Sequence, residues 1–316
     1  MVASQRVVSF HIKEAKKHLT KGVLALIAGD FETGWKYYAK RAELCWWTTR
    51  FKDIPAWKGE DISGKRLLLC YEQALGEQIY FASVIPDLVA KGVQVVLEVD
   101  PRLVTLFARS FPDVEVIPYE FPWNEACYTV DFQAPIGDAF QYTIKSFDDF
   151  PKRDSYLVPD PEIVAKLEPY KGRIGLSWGS KAPIYAAKKT ISIDLFKPLI
   201  DATPVISVQY GSEPSPIDCV PDFEITQDME NMAALLSVCK EVVSVSNATA
   251  HLSAAVGTRT YVMVPNGLGR QFYWYPERET VPGYPMASAY LNVPGGDWKL
   301  LVEYLTKKCL NVENKT

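Results

Sequence analysis

The chain has little of what marks a metalloprotein, a membrane protein or a nucleic-acid-binding protein. Histidine is scarce, three in 316 residues, and no histidine–carboxylate cluster has metal-ligand spacing. The six cysteines (Cys45, Cys70, Cys127, Cys219, Cys239, Cys309) form no C-x-x-C pair and have no histidine nearby. That argues against zinc and for reduced thiols packed as small apolar groups in a cytoplasmic protein. No run of about 18 apolar residues occurs, so no membrane span is expected, and Met1 to Arg6 lack the charged-then-apolar layout of a leader. Basic excess is missing too: the formal net charge is −4. Proteins held to nucleic acid by phosphate contacts usually carry the opposite sign, which weighs against such a partner, a local patch aside. There is no G-x-S-x-G elbow, no G-x-x-x-x-G-K-[ST] loop and no tight G-x-G-x-x-G, which argues against hydrolases, kinases and dehydrogenases.

What is present is an ordinary globular composition, 48% hydrophobic and 23% charged, long enough for about two domains. Residues 1–60 read as helical. Apolar positions recur at helical spacing from Ile12 to Ile27, Gly29-Asp30 supplies a stop and a new N-cap, and a second amphipathic helix runs through Phe31, Trp35, Tyr38 and Leu44. One such pair, with Gly-Asp-Phe at the turn and Gly-Trp-x-x-Tyr after it, looks like a tetratricopeptide unit. It cannot bury both its faces, so it is expected to dock on the neighbouring domain.

Beyond the connector Ile54–Glu60 the period changes. Lys65–Tyr71, Val93–Val99 and Val114–Pro118 read as strands, and Gly76–Lys91 and Pro101–Ser110 as helices. Trp123–Tyr156 has no clean period. After the Pro159-Asp160-Pro161 linker the alternation restarts. Strands are expected at Arg173–Ser177, Val205–Val208, Glu241–Val245 and Thr260–Val264. Helices are expected at Ile191–Asp201, Asp228–Cys239, Ala248–Val256 and Trp298–Lys308. Alternation of this kind indicates βαβ units and parallel sheets. Domains are drawn at 61–158 and 159–316, with a ligand cleft expected between them at the carboxyl ends of the strands. In that arrangement the turn at Gly76 faces the turn that bears His251.

Three segments carry candidate chemistry. Glu72-Gln73-Ala74-Leu75-Gly76-Glu77 follows the first strand. A glycine at a strand-to-helix turn lets backbone N–H groups approach a ligand. Glu77 either complements the helix dipole or acts as a general base toward an acceptor hydroxyl or amine; Glu72 reads as structural. Ser177-Trp178-Gly179-Ser180-Lys181, with Lys188-Lys189-Thr190 after it, is either a solvated loop or a phosphate cradle. Ser244 to His251 opens a helix that Ser246 or Asn247 can cap, leaving N–H groups at Asn247 to Thr249 for an anion. His251 is either a satisfied structural ring or a diphosphate partner. Trp123, Tyr128, Tyr273, Trp274 and Tyr275 either stack on a ligand or fill the core, the core reading being favoured for most; Phe272–Tyr275 follows the turn Asn266-Gly267-Leu268-Gly269 and is a candidate loop at a cleft edge.

The ordered set resembles bacterial proteins in which tetratricopeptide repeats precede a GT-B domain, a group similar to the ADP-heptose:lipopolysaccharide heptosyltransferases of glycosyltransferase family 9. The resemblance rests on Gly29-Asp30-Phe31 through Trp35, Pro55-x-Trp57-x-Gly59-Glu60, Glu72-Gln73-x-x-Gly76-Glu77-x-Ile79, Gly175-Leu176-Ser177-Trp178, Ser207 to Gly211, Asn247 to Leu252 and Gly296-Asp297-Trp298. It implies an α/β GT-B fold, two Rossmann-like parallel-sheet domains facing a cleft, with a tetratricopeptide-like helix pair in front. It implies a nucleotide-sugar donor as co-substrate and no metal or other cofactor. Ser180, Lys181 and Lys189 would lie near the diphosphate, with Asn247, Ala248, Thr249 and His251 opposite. Gln209 and Tyr210 would be near the base or ribose, with Gln73 and Gly76 on the acceptor side and Glu77 as base. Four positions depart from the family pattern: Ala74 for glycine, Glu77 for Asp, Lys189 for Arg and Ser246 for Asp. A Glu carries its oxygens roughly 1.5 Å farther than Asp, enough to alter a catalytic step.

The leading expectation is therefore a metal-independent glycosyltransferase acting on an unidentified glycan, protein side chain or modified nucleobase. A degenerate fold serving as a binding module and a nucleotide-sugar epimerase are the alternatives.

Overall fold

In a computed structural model, residues 16–44, 50–51, 53–120, 129–181, 185–211, 214–267 and 269–311 are described. Trp123, Tyr128, Cys45, Cys127, His11 and Leu268 lie outside the described residues. The chain forms two compact units. One takes Met1–Val104, Phe111–Pro151 and Gln271–Tyr273; the other takes Thr105–Ser110, Lys152–Arg270 and Trp274–Thr316.

The first unit opens with a helix pair. Helix α1 spans residues 16–27 and α2 spans Phe31–Tyr38. Gly29 ends α1 at φ +80°, a left-handed position that disfavours a Cβ. Asp30 caps α2 by accepting from Thr33 N at 3.0 Å. The pair is docked: the Trp35 indole donates to Ile144 O at 2.6 Å, and Phe31 meets Phe147 and Phe150 edge-on. After α2 the chain tightens into a 3-10 turn, Ala39–Leu44, rather than one continuous helix. Arg41 from that turn reaches Glu72 through Nε and Nη2, both at 2.9 Å, and Asp138 at 2.6 Å.

Four parallel strands follow: β1 Arg66–Cys70, β2 Gln94–Val99, β3 Glu115–Pro118 and β4 Phe132–Pro135, in the order β3-β2-β1-β4. β1 is buried on both faces, which explains its unbroken apolar run. Between β1 and β2 the expected single helix is two, α3 Leu75–Ala82 and α4 Ile85–Ala90. Pro86 lacks the N–H that a continuous helix needs and sits in the first turn of α4 instead. A 3-10 turn at Pro101–Leu103 leads into α5 Val104–Ser110. The unassigned stretch contains β4 and α6 Ile136–Thr143. β4 is an edge strand ending in Pro135, where a missing N–H costs no ladder bond.

The second unit takes Thr105–Ser110 of α5 and continues with α7 Pro161–Lys166, where Asp160 of the expected linker caps a helix instead. Its sheet runs β6-β5-β7-β8-β9, all parallel. In chain order come β5 Ile174–Ser177, α8 Ala186–Lys189, α9 Lys197–Ala202, β6 Val205–Ser207, α10 Met229–Val238 and β7 Glu241–Val245. Then follow α11 Ala248–Ala255, β8 Thr260–Val264, β9 Ala287–Leu291 and α12 Lys299–Cys309. The first half of the expected helix Ile191–Asp201 is a 3-10 turn, Ile193–Phe196, and β9 has no counterpart among the expected strands. One core cluster packs Leu176, Val243, Val245 and Met263 against Phe196, Leu199, Val302 and Leu305. Among the described residues no helix is long and apolar enough to cross a membrane.

Candidate functional site

In the second unit a hollow of about 520 Å³ opens beside the carboxyl ends of β5 and β6, the edge where parallel sheets hold ligands. That volume lies within the usual range for small-molecule sites, roughly 300–1,000 Å³. Its walls are mainly apolar, from Trp178, Tyr210, Val220, Phe223 and Ile225. Among the described residues Lys181 is the one charged side chain on the lining, and its tip lies against Gly211.

Two amides build the floor. Gln209 Oε1 accepts from Trp178 N at 2.9 Å, Gly179 N at 2.8 Å and Ser177 Oγ at 3.2 Å. Its Nε2 donates to Tyr210 O at 2.9 Å and Gly179 O at 3.3 Å. A Cβ on Gly179 would lie 3.3–3.5 Å from the Gln209 amide, so glycine permits the close approach. From the far side, Asn247 Nδ2 donates to Ser177 Oγ and Gly179 O, both at 2.9 Å. Asn247 Oδ1 caps α11 by accepting from Ala250 N at 3.1 Å and also takes a bond from Ser244 Oγ. The cap is therefore Asn247 and not Ser246, whose buried Oγ accepts from the Trp274 indole at 2.8 Å. Both amides expected to touch the donor spend their hydrogen-bonding groups on the loop that shapes the hollow.

The remaining donor-side candidates separate. Ser180 and Lys181 line the hollow, and Ser180 N donates to Thr190 Oγ1 at 3.3 Å. Ala248 and Thr249 occupy the first turn of α11, with Thr249 Oγ1 turned to Val208 O at 3.4 Å. Lys189 is buried, whereas Lys188 is exposed. His251 is buried, packed on Trp274 at 4.4 Å between ring centroids, and Nδ1 pairs with Tyr284 Oη at 3.1 Å. Burial first, and the charge of Lys189 second, push its pKa well below the ordinary histidine value. The ring is neutral near pH 7, so it offers an anion hydrogen bonding but no charge.

In the first unit the turn after β1 is held at a different residue from the one its glycine suggests. Gln73, not Gly76, takes the left-handed conformation, at φ +60°. Gly76 lies inside the first turn of α3 and is buried. Ala74 precedes α3 in extended conformation without a side-chain cap, so it fits where the family pattern has glycine. The Gln73 amide is pinned by Tyr38: Nε2 donates to the phenol at 3.0 Å, and it reaches Glu72 Oε2 at 3.3 Å. Glu72 is fully buried, bound by Arg41 and by Gly137 N at 2.5 Å. Its role is structural. Glu77, half-buried at the head of α3, accepts from Tyr273 Oη at 2.8 Å. Phe272, Tyr273, Trp274 and Tyr275 are all buried, in line with the favoured core reading and not with an exposed loop. Among the described residues no three His, Cys, Asp or Glu side chains gather as a metal site would require.

No protein-family model matches the chain. Protein FlbA of Caulobacter vibrioides is 32% identical over 304 residues, an alignment covering 83% of this chain and 51% of that protein. The chain thus spans about half the length of the curated relative it matches. Among solved structures, a glycosyl transferase family 9 protein from Veillonella parvula aligns with a TM-score of 0.52 at 11% identity, over 80% of this chain and 90% of that one. E. coli ADP-heptose lps heptosyltransferase II aligns with a TM-score of 0.54 at 13% identity, over 78% and 99%. The chain shares its fold with these two structures. At such identities the likeness speaks for the fold alone.

Within this fold, three contacts were not expected from the sequence. They are the bond of the Tyr273 phenol to Glu77, the clasp between Tyr38 and Gln73 and the exposed thiol of Cys219 on the hollow's lining. Tyr38, Gln73 and Tyr273 were each singled out in the sequence, but their pairings were not; Cys219 carried no signal.

Proposed function

We propose that this protein is a metal-independent glycosyltransferase of the GT-B type. The second unit holds a nucleotide-sugar donor, and the first supplies Glu77 as base for the acceptor. The observation that carries the reading is the hollow at the ends of β5 and β6. It has apolar walls suited to a base and ribose, a glycine-bearing floor tied by Gln209 and Asn247, and Lys181 as its charged group. Lys181 and the first-turn N–H groups of α11 are the groups available to a diphosphate. In transfer, an acceptor oxygen or nitrogen attacks the anomeric carbon while Glu77 takes its proton, and the bond to the diphosphate breaks. The departing negative charge is stabilised by cationic side chains and the helix N-terminus instead of a metal.

The helix pair is read as a tetratricopeptide-like remnant that now serves as a support for the Gln73 turn. One structural neighbour is an ADP-heptose lps heptosyltransferase, which makes ADP the first nucleotide to try; the acceptor is left open among glycans, protein side chains and modified nucleobases.

The test is thermal unfolding with ADP, GDP and UDP, with and without EDTA, alongside alkylation of Cys219. Among the described residues Cys219 is the exposed cysteine, while Cys70, Cys239 and Cys309 are buried. A bound nucleotide is expected to raise the midpoint with EDTA present and to slow labelling of Cys219. No stabilisation by any nucleotide diphosphate would remove the donor site. A second reading, nucleotide binding without transfer, is favoured by the buried neutral His251, and binding without turnover of any nucleotide-sugar would select it. Product analysis separates transfer from epimerisation.

A further inference from the structure

The second unit carries another depression, at the other end of its sheet from the hollow. A cavity of about 410 Å³ runs beside β8 and β9, the two strands farthest from β6 in the order β6-β5-β7-β8-β9. Arg259 immediately precedes β8, Lys308 sits in the last turn of α12, and Arg278 and Glu279 come from the loop that leads to β9. Among the described residues this cavity shares no wall with the hollow beside β5 and β6. Its volume falls within the range of small-molecule sites, roughly 300–1,000 Å³.

The charge of this cavity runs against that of the chain, whose formal net charge is −4. Among the described residues the lining sets three cations, Arg259, Arg278 and Lys308, against one carboxylate, Glu279. Neighbouring carboxylates face other cations: Glu277 accepts from Arg270 at 2.5 Å, Glu241 lies 3.9 Å from Lys240 and Glu303 lies 4.0 Å from Lys299. A concave surface of one sign concentrates ligands of the other. The floor is aromatic. Tyr261 and Tyr290 meet edge-on at 6.2 Å, and Lys308 Nζ stands 5.7 Å from the centre of the Tyr261 ring, within cation–π range. Burial above all pushes the Tyr261 phenol up to about 12, and burial likewise raises Tyr290. Both therefore keep a proton to donate at neutral pH. The rim is tied down: Ser288 Oγ donates to Glu279 O at 3.0 Å, Arg278 N to Tyr275 O at 3.1 Å and Val281 N to Ala287 O at 2.9 Å. The loop that bears Arg278 and Glu279 is thus fixed to β9.

We propose that this cavity is a second ligand site, which binds the phosphate of a small phosphate monoester through Arg259, Arg278 and Lys308. The excess of two positive charges on the lining matches a monoester, which carries about −1.5 to −2 at pH 7, better than it matches a single carboxylate. Its three terminal oxygens suit guanidinium and ammonium groups that arrive from separate elements. Tyr261 and Tyr290 offer ring surface to the organic part of the ligand. The site stands whether or not the hollow beside β5 and β6 takes a nucleotide. Monoesters occur free in solution, as sugar phosphates, and at lipid surfaces, as phosphatidic acid, and the group recognised is the same in both.

The experiment offers the full chain two probes at matched ionic strength: glucose 1-phosphate, followed by calorimetry, and phosphatidylcholine vesicles with and without phosphatidic acid, followed by co-sedimentation. Arg259→Ala and Lys308→Ala are each expected to weaken binding about tenfold, the size of one charge-assisted hydrogen bond. Both side chains are exposed, so the unfolding midpoint should not move. Lys181→Ala, in the hollow, should leave the binding that depends on Arg259 and Lys308 intact. Binding of the soluble ester with this dependence supports the proposal and assigns a free phosphate. Binding of phosphatidic acid vesicles alone, with the same dependence, supports it and assigns a lipid headgroup. No binding of either probe at millimolar phosphate, or binding undiminished when Arg259→Ala and Lys308→Ala are combined, overturns it. Magnetic resonance of ring-labelled tyrosine, with Tyr290→Phe to assign the signal, then locates the ligand. A shift of the Tyr290 signal on adding glucose 1-phosphate or short-chain phosphatidic acid is expected, and bound ligand without that shift places the phosphate elsewhere and ends the proposal.

Discussion

Gln209 and Gly179 close a ring: the backbone N–H of Gly179 donates to Gln209 Oε1 at 2.8 Å, and the same amide returns a bond from Nε2 to Gly179 O at 3.3 Å. One side chain from the end of β6 thereby sets the path of the loop that leaves β5. Asn247, at the end of β7, clamps the same carbonyl from the other side. Gln209→Ala removes the bonds that Gln209 makes and strands the backbone N–H groups of Trp178 and Gly179. A loss of about 1–3 kcal/mol in stability is expected, measured by urea unfolding, with at least a tenfold loss of nucleotide affinity in calorimetry. Gln209→Glu keeps the acceptor oxygen and is expected to fall between the two. Unchanged nucleotide affinity in Gln209→Ala would separate the loop from the ligand.

Lys181 is exposed and, among the described residues, has no structural bond to lose. Lys181→Ala should leave the unfolding midpoint unchanged. It should weaken a nucleoside diphosphate about tenfold, the size of one charge-assisted hydrogen bond, and the parent nucleoside hardly at all. Equal losses for both ligands would place the lysine away from the diphosphate.

The buried imidazole makes stability fall with acid. In the unfolded chain His251 titrates near its ordinary value, about 6.5. In the fold its pKa is pushed well below that by burial and then by Lys189. Between the two values the unfolded state binds the proton and the folded state does not, so lowering the pH favours unfolding. Relative to His251→Gln, wild type is expected to lose about 1.4 kcal/mol per pH unit below pH 6. Urea unfolding of both proteins at pH 7.5 and 5.5 measures it. A difference that does not change with pH would mean that the folded ring takes up the proton.

Arg41 binds Glu72 with two nitrogens while Asp138 holds the third contact, and both Arg41 and Glu72 are buried. Arg41→Ala leaves one buried carboxylate uncompensated. A loss of about 3–5 kcal/mol is expected, and Gln73 and Glu77 should become more mobile in amide exchange because the turn loses its backing. Arg41→Lys should recover only part, since an ammonium cannot reproduce the planar two-nitrogen contact.

Read from its residues alone, the chain declares its alternation of strands and helices, the Gly29–Asp30 break, the Asp-capped helices α2 and α10, and the loops that follow β1, β5 and β7. Those are local matters: apolar period, cap chemistry and short loops are written within a few residues of where they act. β4 and β9 escaped because they are short, only partly buried edge strands. What the polar groups do was decided by tertiary structure. Asn247 and Gln209 brace a loop, His251 is kept neutral, Gln73 takes the left-handed turn, and Tyr273 grips Glu77 from 196 residues away. Each of these depends on burial and on partners that the chain brings together only by folding. A side chain's type shows what it is able to bond, but its neighbours determine whether that capacity is already used.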